Sequence, residues 1–330
     1  MKWLQIMLLM FTIILLTGCG DLLDESDATD VEEAADKEGL IITVNASSEE
    51  ATENGCNVGE VYIADEDTCV LPLKCDDYDS CKGRGDEIIM MLEEEYGSLT
   101  DEESIATDLE GIHTLYTYDI DNVEEMIVTD DDVSDEDIEY HSELWFDFAW
   151  LIPESERKDI NQFIIFKSGN TLAYVQQHDD SGQYWTLGMN EENIELASET
   201  MITYIHEYAH YVSLKDGEHN MWVDPDACED VYIEGEGCFY EDAYLTDFYE
   251  QFWASSSGDS DDNYVSSYAA SSVAEDFAES FAHFVLTKQQ DELHTIADEK
   301  IAFFYEYDYF VELRAHILTR AATWLERAVV

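Results

Sequence analysis

The chain has 330 residues, and 78 Asp and Glu oppose only 14 Lys and Arg, which gives a formal net charge of −64 at pH 7. This balance speaks against nucleic-acid binding, because phosphate needs a basic face. Because the acidic excess runs along the whole chain, we interpret it as adaptation to a saline medium, where salt screens the repulsion. Calcium binding by acidic loops is the alternative, but the chain contains no EF-hand pattern: residues 76–79 lack the Gly and the terminal Glu.

The first residues have the pattern of a targeting segment. Lys2 precedes an apolar run, residues 3–16, which is shorter than the roughly 20 residues that a membrane span needs. The Leu-Thr-Gly-Cys sequence at 16–19 resembles the lipobox of bacterial lipoproteins. The resemblance implies that residues 1–18 are a cleaved signal peptide and that Cys19 is lipidated, which would anchor an exported chain to the membrane at the cell surface or envelope. A plain secretory signal and an uncleaved anchor are the alternatives.

Two segments precede the main domain. Residues 19–55 are acidic, rich in Ser, Thr and Ala and poor in aromatics, which predicts a flexible tether. A short apolar stretch within it, Leu40 to Val44, is a candidate strand. Residues 56–85 are rich in cysteine and lack the bulk for a core of their own, so we expect disulfides to hold them.

Six cysteines follow Cys19, and an even number in an exported chain predicts disulfides. Proximity in sequence favours a bond between Cys228 and Cys238 and two bonds within residues 56–81, whose pairing stays open among Cys56, Cys69, Cys75 and Cys81. Zinc binding by these cysteines is the alternative, but their spacing contains no CxxC pair.

Residues 86–330 have the composition of one globular domain, long enough for a sizeable core in two lobes around a cleft. An acidic stretch from Thr129 to Glu139 is predicted to be a surface loop. Strands are predicted at 162–167, 171–177 and 184–189, and the Ser-Gly-Asn sequence between the first two predicts a hairpin. The chain after residue 285 is predicted to be helical, with four buried aromatics: Phe303, Phe304, Tyr307 and Phe310.

The sequence His-Glu-Tyr-Ala-His at 206–210 matches the HExxH pattern. An apolar stripe at helical spacing predicts a helix here: Ile202, Ile205, Ala209 and Val212. Positions i and i+4 share a helix face, so His206 and His210 can reach one metal ion, while Glu207 can take a proton from a water at that ion. The alternative is a chance match with two hydrogen-bonded core histidines.

A second predicted helix carries a candidate third ligand. Its buried stripe consists of Val273, Phe277, Phe281 and Phe284, whereas Glu275 and Glu279 lie on another face, one turn apart. Two His and one Glu leave the fourth zinc position open for water. Glu279 can accept the free N–H of a ligating histidine. The alternatives are a capping box between Ser272 and Glu275 and a solvated helix face for Glu279.

Asp216 is a rival third ligand, because some zinc peptidases extend the motif to HExxHxxGxxH or HExxHxxGxxD. In this chain Ser213 occupies the glycine position of the extended motif. That glycine turns the chain sharply after the helix, so its absence favours Glu275 over Asp216.

The sequence EDFAESF at 275–281, downstream of HExxH, resembles the catalytic domain of the lethal-factor family of gluzincin zinc metallopeptidases and a broader group of secreted bacterial zinc peptidases, over roughly residues 145–315. The resemblance implies an α+β, zincin-like, two-lobed fold with a small mixed sheet, an HExxH active-site helix and a helical C-terminal lobe. It implies that Glu275 is the zinc ligand and that Tyr268, seven residues earlier, aims at the zinc site, where its phenol could donate to an oxyanion.

Many zinc peptidases also place an edge strand just before the HExxH helix, where it pairs with the substrate backbone. In this chain that strand would be residues 184–189.

Together these patterns predict a surface-anchored metallopeptidase with one Zn²⁺ per chain that hydrolyses a peptide or protein substrate. Two other hypotheses stay open. One is a non-catalytic cell-surface binding lipoprotein with a structural or degenerate zinc site, against which the intact Glu207 speaks. The other is a zinc amidase acting on cell-wall material, which metal chemistry alone does not separate from a peptidase.

The net charge of −64 leads to a first prediction. The melting temperature should rise with sodium chloride from low to molar concentration at constant zinc, because the Debye length falls to about 3 Å at 1 M and carboxylate repulsion is screened. Sodium chloride should suffice, without salts such as sulfate that strengthen apolar burial. A flat or falling melting temperature would contradict the adaptation to saline medium.

Overall fold

A computed structural model describes part of the chain: residues 40–43, 61–63, 68–70, 75, 77–100, 111–121, 125–128, 133–169, 171–178, 183–191, 197–215, 217–234, 236–254 and 263–328. The predicted signal peptide, Cys19, most of the predicted tether, Cys56 and Asp216 lie outside the described residues. The disulfide status of Cys56 and the metal-binding role of Asp216 therefore stay predictions.

Eleven strands are described: β1 (Leu40–Thr43), β2 (Val61–Ile63), β3 (Thr68–Val70), β4 (His113–Asp121), β5 (Glu125–Val128), β6 (Ile160–Lys167), β7 (Ala173–Gln177), β8 (Trp185–Asn190), β9 (His219–Asn220), β10 (Val231–Ile233) and β11 (Gly237–Phe239). Six of them form one mixed sheet in the order β1-β5-β4-β6-β8-β7. Neighbouring strands are antiparallel, except that β6 and β8 run parallel. A second sheet has the order β10-β11-β9, and β2 pairs with β3.

Seven α-helices are described: α1 (Tyr78–Tyr96), α2 (Asp135–Leu151), α3 (Ala197–Leu214), α4 (Tyr244–Phe252), α5 (Val273–Leu286), α6 (Ile296–Phe303) and α7 (Asp308–Ala328). The predicted α+β class is therefore confirmed, with a mixed sheet, the HExxH sequence on α3 and helices throughout the C-terminal part. Among the described residues, no helix combines the length and the apolarity needed to cross a membrane.

The hairpin predicted at residues 168–170 is wrong, because β8 lies between β6 and β7. All six residues of β8 are buried, so this strand needs neighbours on both edges and cover on both faces. Its last residue, Asn190, also holds the connection in place: the side-chain amide donates to the carbonyls of Ser168 at 2.8 Å and Thr171 at 2.7 Å. The turn-forming sequence therefore marks a crossing over the end of β8.

The same strand order corrects the expected edge strand. Residues 184–189 form the interior strand β8, and β7 is the outer strand of the sheet in the part of the chain that the structure describes. β7 also packs against the HExxH helix α3. The outer strand beside the HExxH helix is therefore β7, one strand earlier in the sequence than expected.

The acidic stretch predicted as a loop is partly helical. Asp135, Glu136 and Asp137 form the first turn of α2, and the Ser134 hydroxyl caps the helix by accepting from the backbone N–H of Asp137. Carboxylates are stabilising at a helix N-terminus, where the unpaired N–H groups carry partial positive charge. An acidic run that precedes an apolar stretch is thus a helix start here, and the loop prediction is wrong for residues 135–139.

The Cys-rich segment and the main domain share a helix. The predicted boundary between residues 85 and 86 falls inside α1, which packs along α7, and a disulfide joins Cys75 to Cys81 at its first turns. Gly85 permits close contact, because a Cβ there would lie 2.3 Å from Nη1 of the buried Arg314. β1, from the predicted tether, pairs with β5.

The orientation of α5 follows from its aromatic face. Phe277 and Phe281 are fully buried against Phe248, Phe304 and Phe310, which come from α4, the turn after α6, and α7. Two residues correspond to roughly 200° around a helix, so the face that carries Glu275 and Glu279 points the opposite way, toward α3. Aromatic packing on one side therefore directs two carboxylates to the other.

The predicted Cys228–Cys238 disulfide is present, with its Cα atoms 5.6 Å apart. It joins the segment before β10 to β11, in the three-stranded sheet that follows α3. Gly237, at the start of β11, has φ of +104°, and a Cβ there would lie 2.3 Å from the Met221 backbone. The disulfide therefore closes a segment that forms part of a small sheet.

Candidate metal centre

Helix α3 brings the HExxH residues into a buried position. Its apolar side is fully packed at Ile205, Ala209 and Val212, and the helix lies between β7 and α5. His206 is 7% and Glu207 4% exposed. Buried polar groups of this kind need partners. Helix α5 supplies them to His206 through Glu275 and Glu279, and β7 supplies one to Glu207 through the backbone N–H of Val175.

Three ligand atoms converge on one point. The Nε2 atoms of His206 and His210 are 3.1 Å apart, and Oε2 of Glu275 lies 3.2 Å from the first and 3.1 Å from the second. An ion held tetrahedrally by ligands at about 2.0–2.1 Å separates them by roughly 3.3 Å. The chain thus forms a triangle of nearly the right size for a zinc ion.

An N-cap by Ser272 is compatible with the position of Glu275 in this triangle. The Ser272 hydroxyl caps α5 by accepting from the backbone N–H of Glu275 at 3.1 Å. The cap therefore uses only the main chain of Glu275, and its carboxylate points to the two histidines. The capping box considered for these two residues is therefore wrong, because it would need the Glu275 carboxylate on the Ser272 backbone N–H, and Ser272 forms a simple N-cap instead.

Glu279 orients one of the two histidines. Its Oε1 lies 2.7 Å from Nδ1 of His206, and its Oε2 accepts from the Ser266 hydroxyl at 2.6 Å. The Ser266 oxygen in turn accepts from the backbone N–H of Ala269 at 3.0 Å. With a proton on Nδ1, the Nε2 lone pair of His206 faces the triangle, as a metal ligand requires.

The electrostatics of the triangle reflect strong coupling between its members. Burial alone would raise the pKa of Glu275, but the two imidazoles opposite hold that pKa well below its usual value. Burial disfavours charged His206, yet its hydrogen bonds to Glu275 and Glu279 raise its pKa well above the ordinary value. Positive charge is thus strongly favoured between these side chains, whether it is carried by protons or by a cation.

Glu207 has the environment of a general base. Burial raises its pKa, while the neighbouring His206 and His210 and a hydrogen bond from the backbone N–H of Val175 on β7 oppose the rise. A carboxylate whose pKa is shifted toward neutrality accepts and releases protons more readily at physiological pH. The contact to Val175 also ties the base to the outer strand of the sheet.

Tyr268 lies beside the site. Its ring stacks on that of His206, with centroids 5.7 Å apart and planes inclined by 27°, and the residue is 7% exposed. It belongs to the segment directly before α5. The structure therefore brings the predicted tyrosine against a predicted ligand, while a role of its hydroxyl in catalysis stays a prediction.

Sequence reasoning missed three participants: Ser266, Val175 and Glu236. Glu236 lies in the turn between β10 and β11, and burial raises its pKa; the charge of Glu275 adds to that rise and His210 opposes it. The charge of Glu236, on the small sheet, therefore interacts with His210 and Glu275 of the triangle.

Loss of the Glu275 carboxylate should remove zinc. We expect Glu275→Ala to bind zinc at least tenfold more weakly than the wild type in a chelator competition, because one of three ligands is missing. Asp216→Ala is the matched control, since it removes the rival carboxylate and should keep one zinc per chain. The opposite pattern, with zinc retained in Glu275→Ala and lost in Asp216→Ala, would overturn the ligand set.

Comparison with known proteins identifies the family of this chain. A search of curated proteins and a search of solved structures each returned no match. A family model described as "Putative zinc-binding metallo-peptidase" matches residues 118–329. The match contains both ligand helices and the sheet strands from β5 to β8, and it covers more than half of the chain. The chain therefore belongs to this zinc-binding metallo-peptidase family.

Proposed function

We propose that this chain is an active, exported zinc peptidase that is held at the bacterial cell surface or envelope and hydrolyses peptide bonds of a peptide or protein substrate. The observation that carries the proposal is the triangle of His206, His210 and Glu275 with Glu207 beside it. A purely structural zinc site has four protein ligands and needs no adjacent base, whereas a catalytic site keeps one position open.

Zinc, when bound by these three residues, supplies a Lewis acid that polarises a carbonyl and lowers the pKa of water. Glu207 is the proposed base beside this zinc site, and it acts twice. Its carboxylate takes the proton of the attacking water and delivers it to the leaving amine. The burial that raises the pKa of Glu207 supports this double role.

The outer strand β7 is the proposed docking edge for the substrate backbone. Two hydrogen bonds at the ends of β7 point toward β8. The carbonyl of Leu172 accepts from the backbone N–H of Asn190 at 2.8 Å, and the backbone N–H of His178 donates to the carbonyl of Tyr184 at 2.6 Å. Backbone groups alternate in direction along a strand, so those of Val175 face away from β8. The backbone N–H of Val175 donates to Glu207, so a peptide that pairs along this edge would pass the proposed base.

Tyr268 is the proposed oxyanion donor. Its position against His206 brings a phenol to the border of the triangle. A donor that is held before reaction stabilises the charge that develops on the carbonyl oxygen without reorganisation.

The proposed location rests on the lipobox-like sequence that ends at Cys19. In a bacterial host, wild-type protein should partition with membranes. Cys19→Ala should remain uncleaved or be released, because no thiol is available for lipid attachment. Mass analysis of the N-terminus measures the attached lipid directly, and an unmodified Cys19 in membrane-bound protein would contradict the anchor.

Glu207→Gln should separate binding from hydrolysis. We expect this variant to keep one zinc per chain and the wild-type melting temperature, while peptide hydrolysis falls by several orders of magnitude because the base is lost. The measurement is a proteome-derived peptide library digested in high salt, with cleavages identified by mass spectrometry.

The exposed Glu250→Gln on α4 is the matched control and should cleave like the wild type. Undiminished cleavage by Glu207→Gln would contradict the mechanism. Cleavage of cell-wall amides without any peptide cleavage would contradict the peptide-bond specificity.

A further inference from the structure

A buried lysine stands out in a chain that has only 14 basic residues. Lys300, on α6, is 2% exposed, and its Nζ lies 2.6 Å from Oδ2 of Asp276, which is fully buried. Asp276 also accepts from Nε1 of Trp253 at 2.7 Å. Asp276 lies on α5 and directly follows the proposed ligand Glu275 in the sequence.

Lys300 also holds the segment that leads into α5. Its ammonium donates to the carbonyl of Asn263 at 2.7 Å and lies 3.9 Å from the centre of the Tyr264 ring. Trp253 covers the other side of this contact, with its ring 6.0 Å from that of Tyr264. One side chain thus joins α6, α5 and residues 263–264.

The held segment continues into the metal centre. Two residues beyond Tyr264, the Ser266 hydroxyl donates to Glu279 at 2.6 Å, and Glu279 bonds to Nδ1 of His206 at 2.7 Å. Two residues further, the Tyr268 ring stacks on His206. The contacts therefore form a continuous chain from Lys300 to a proposed ligand.

Stability alone is a weak explanation for this lysine. Buried ion pairs carry a large desolvation cost, and their replacement by apolar residues is often neutral or stabilising. What Lys300 contributes is a fixed position. Its ammonium donors hold the Asn263 carbonyl close to Asp276, and this sets where the segment that follows Asn263 lies along the axis of α5.

We propose that Lys300 is a positioning residue of the metal centre, which holds residues 263–268 against α5 so that Ser266 directs Glu279 onto His206. The proposal rests on the function proposed above. Lys300 touches neither metal nor substrate and acts only through Asn263, Asp276 and the segment between them.

The first test measures zinc release into excess chelator. Lys300→Met keeps the length of the side chain and removes its donors, and we expect zinc to leave at least tenfold faster than from wild type, within the range typical of lost second-layer contacts. Lys288→Met, an exposed lysine just after α5, is the matched control and should release zinc at the wild-type rate. If Lys300→Met does not fold, the double variant Asp276→Leu, Lys300→Met removes the unpaired charge and serves in its place.

A double-mutant cycle identifies the route. If Lys300 acts through Ser266, the combined Ser266→Ala, Lys300→Met variant should release zinc no faster than the quicker single variant. Release rates that multiply, or a wild-type rate in Lys300→Met together with a lower melting temperature, would show a structural role only and overturn the proposal.

A second readout needs no zinc. In metal-free protein, the His206 Nδ1–H bonded to Glu279 should give a downfield proton resonance, which Lys300→Met and Ser266→Ala should both lose and Lys288→Met should keep. Retention of this signal in Lys300→Met would overturn the positioning role. Failure of the wild type to bind zinc at all would instead refute the proposed function and leave this test standing.

Discussion

The site depends on one contact: α5 packs against α3 so that a single carboxylate oxygen of Glu275 lies within 3.2 Å of two imidazole nitrogens. Glu207 on α3 and Glu279 on α5 are buried near this contact. Two buried carboxylates and a third that is partly buried are costly without compensating positive charge. A dication between the helices removes much of that cost, so this arrangement makes metal binding favourable.

Helix α5 is fixed along its whole length. The Ser272 hydroxyl caps its N-terminus. At its C-terminus, Arg314 donates to the carbonyls of Phe284 at 2.8 Å and Thr287 at 2.9 Å. Lys300 pairs with its first turn. Although the chain has only 14 basic residues, two of them, Lys300 on α6 and Arg314 on α7, are buried against the helix that carries the third ligand.

The ligand helices could be predicted because their signals are local. HExxH and the pair Glu275 and Glu279 each repeat one helical turn apart, next to apolar stripes that the structure buries. The sequence could not show which histidine Glu279 contacts, since this depends on how two helices cross; the structure assigns it to His206.

The errors in the sheet and around the site concern contacts between distant segments. Strand order is set by which strand needs burial on both faces, and the fully buried β8 displaced the expected hairpin. Glu236 is one of 78 acids, and nothing in its local sequence marks it as facing the metal centre. Val175 contributes a main-chain N–H, which a residue type does not reveal.

The most direct measurement is anomalous diffraction at the zinc edge from crystals of the protein. The account predicts one peak, bonded at about 2.0–2.2 Å to Nε2 of His206, Nε2 of His210 and a carboxylate oxygen of Glu275, with one position left to solvent. A peak ligated by Asp216 or by cysteines, a fourth protein ligand in the open position, or no zinc between α3 and α5 would contradict it.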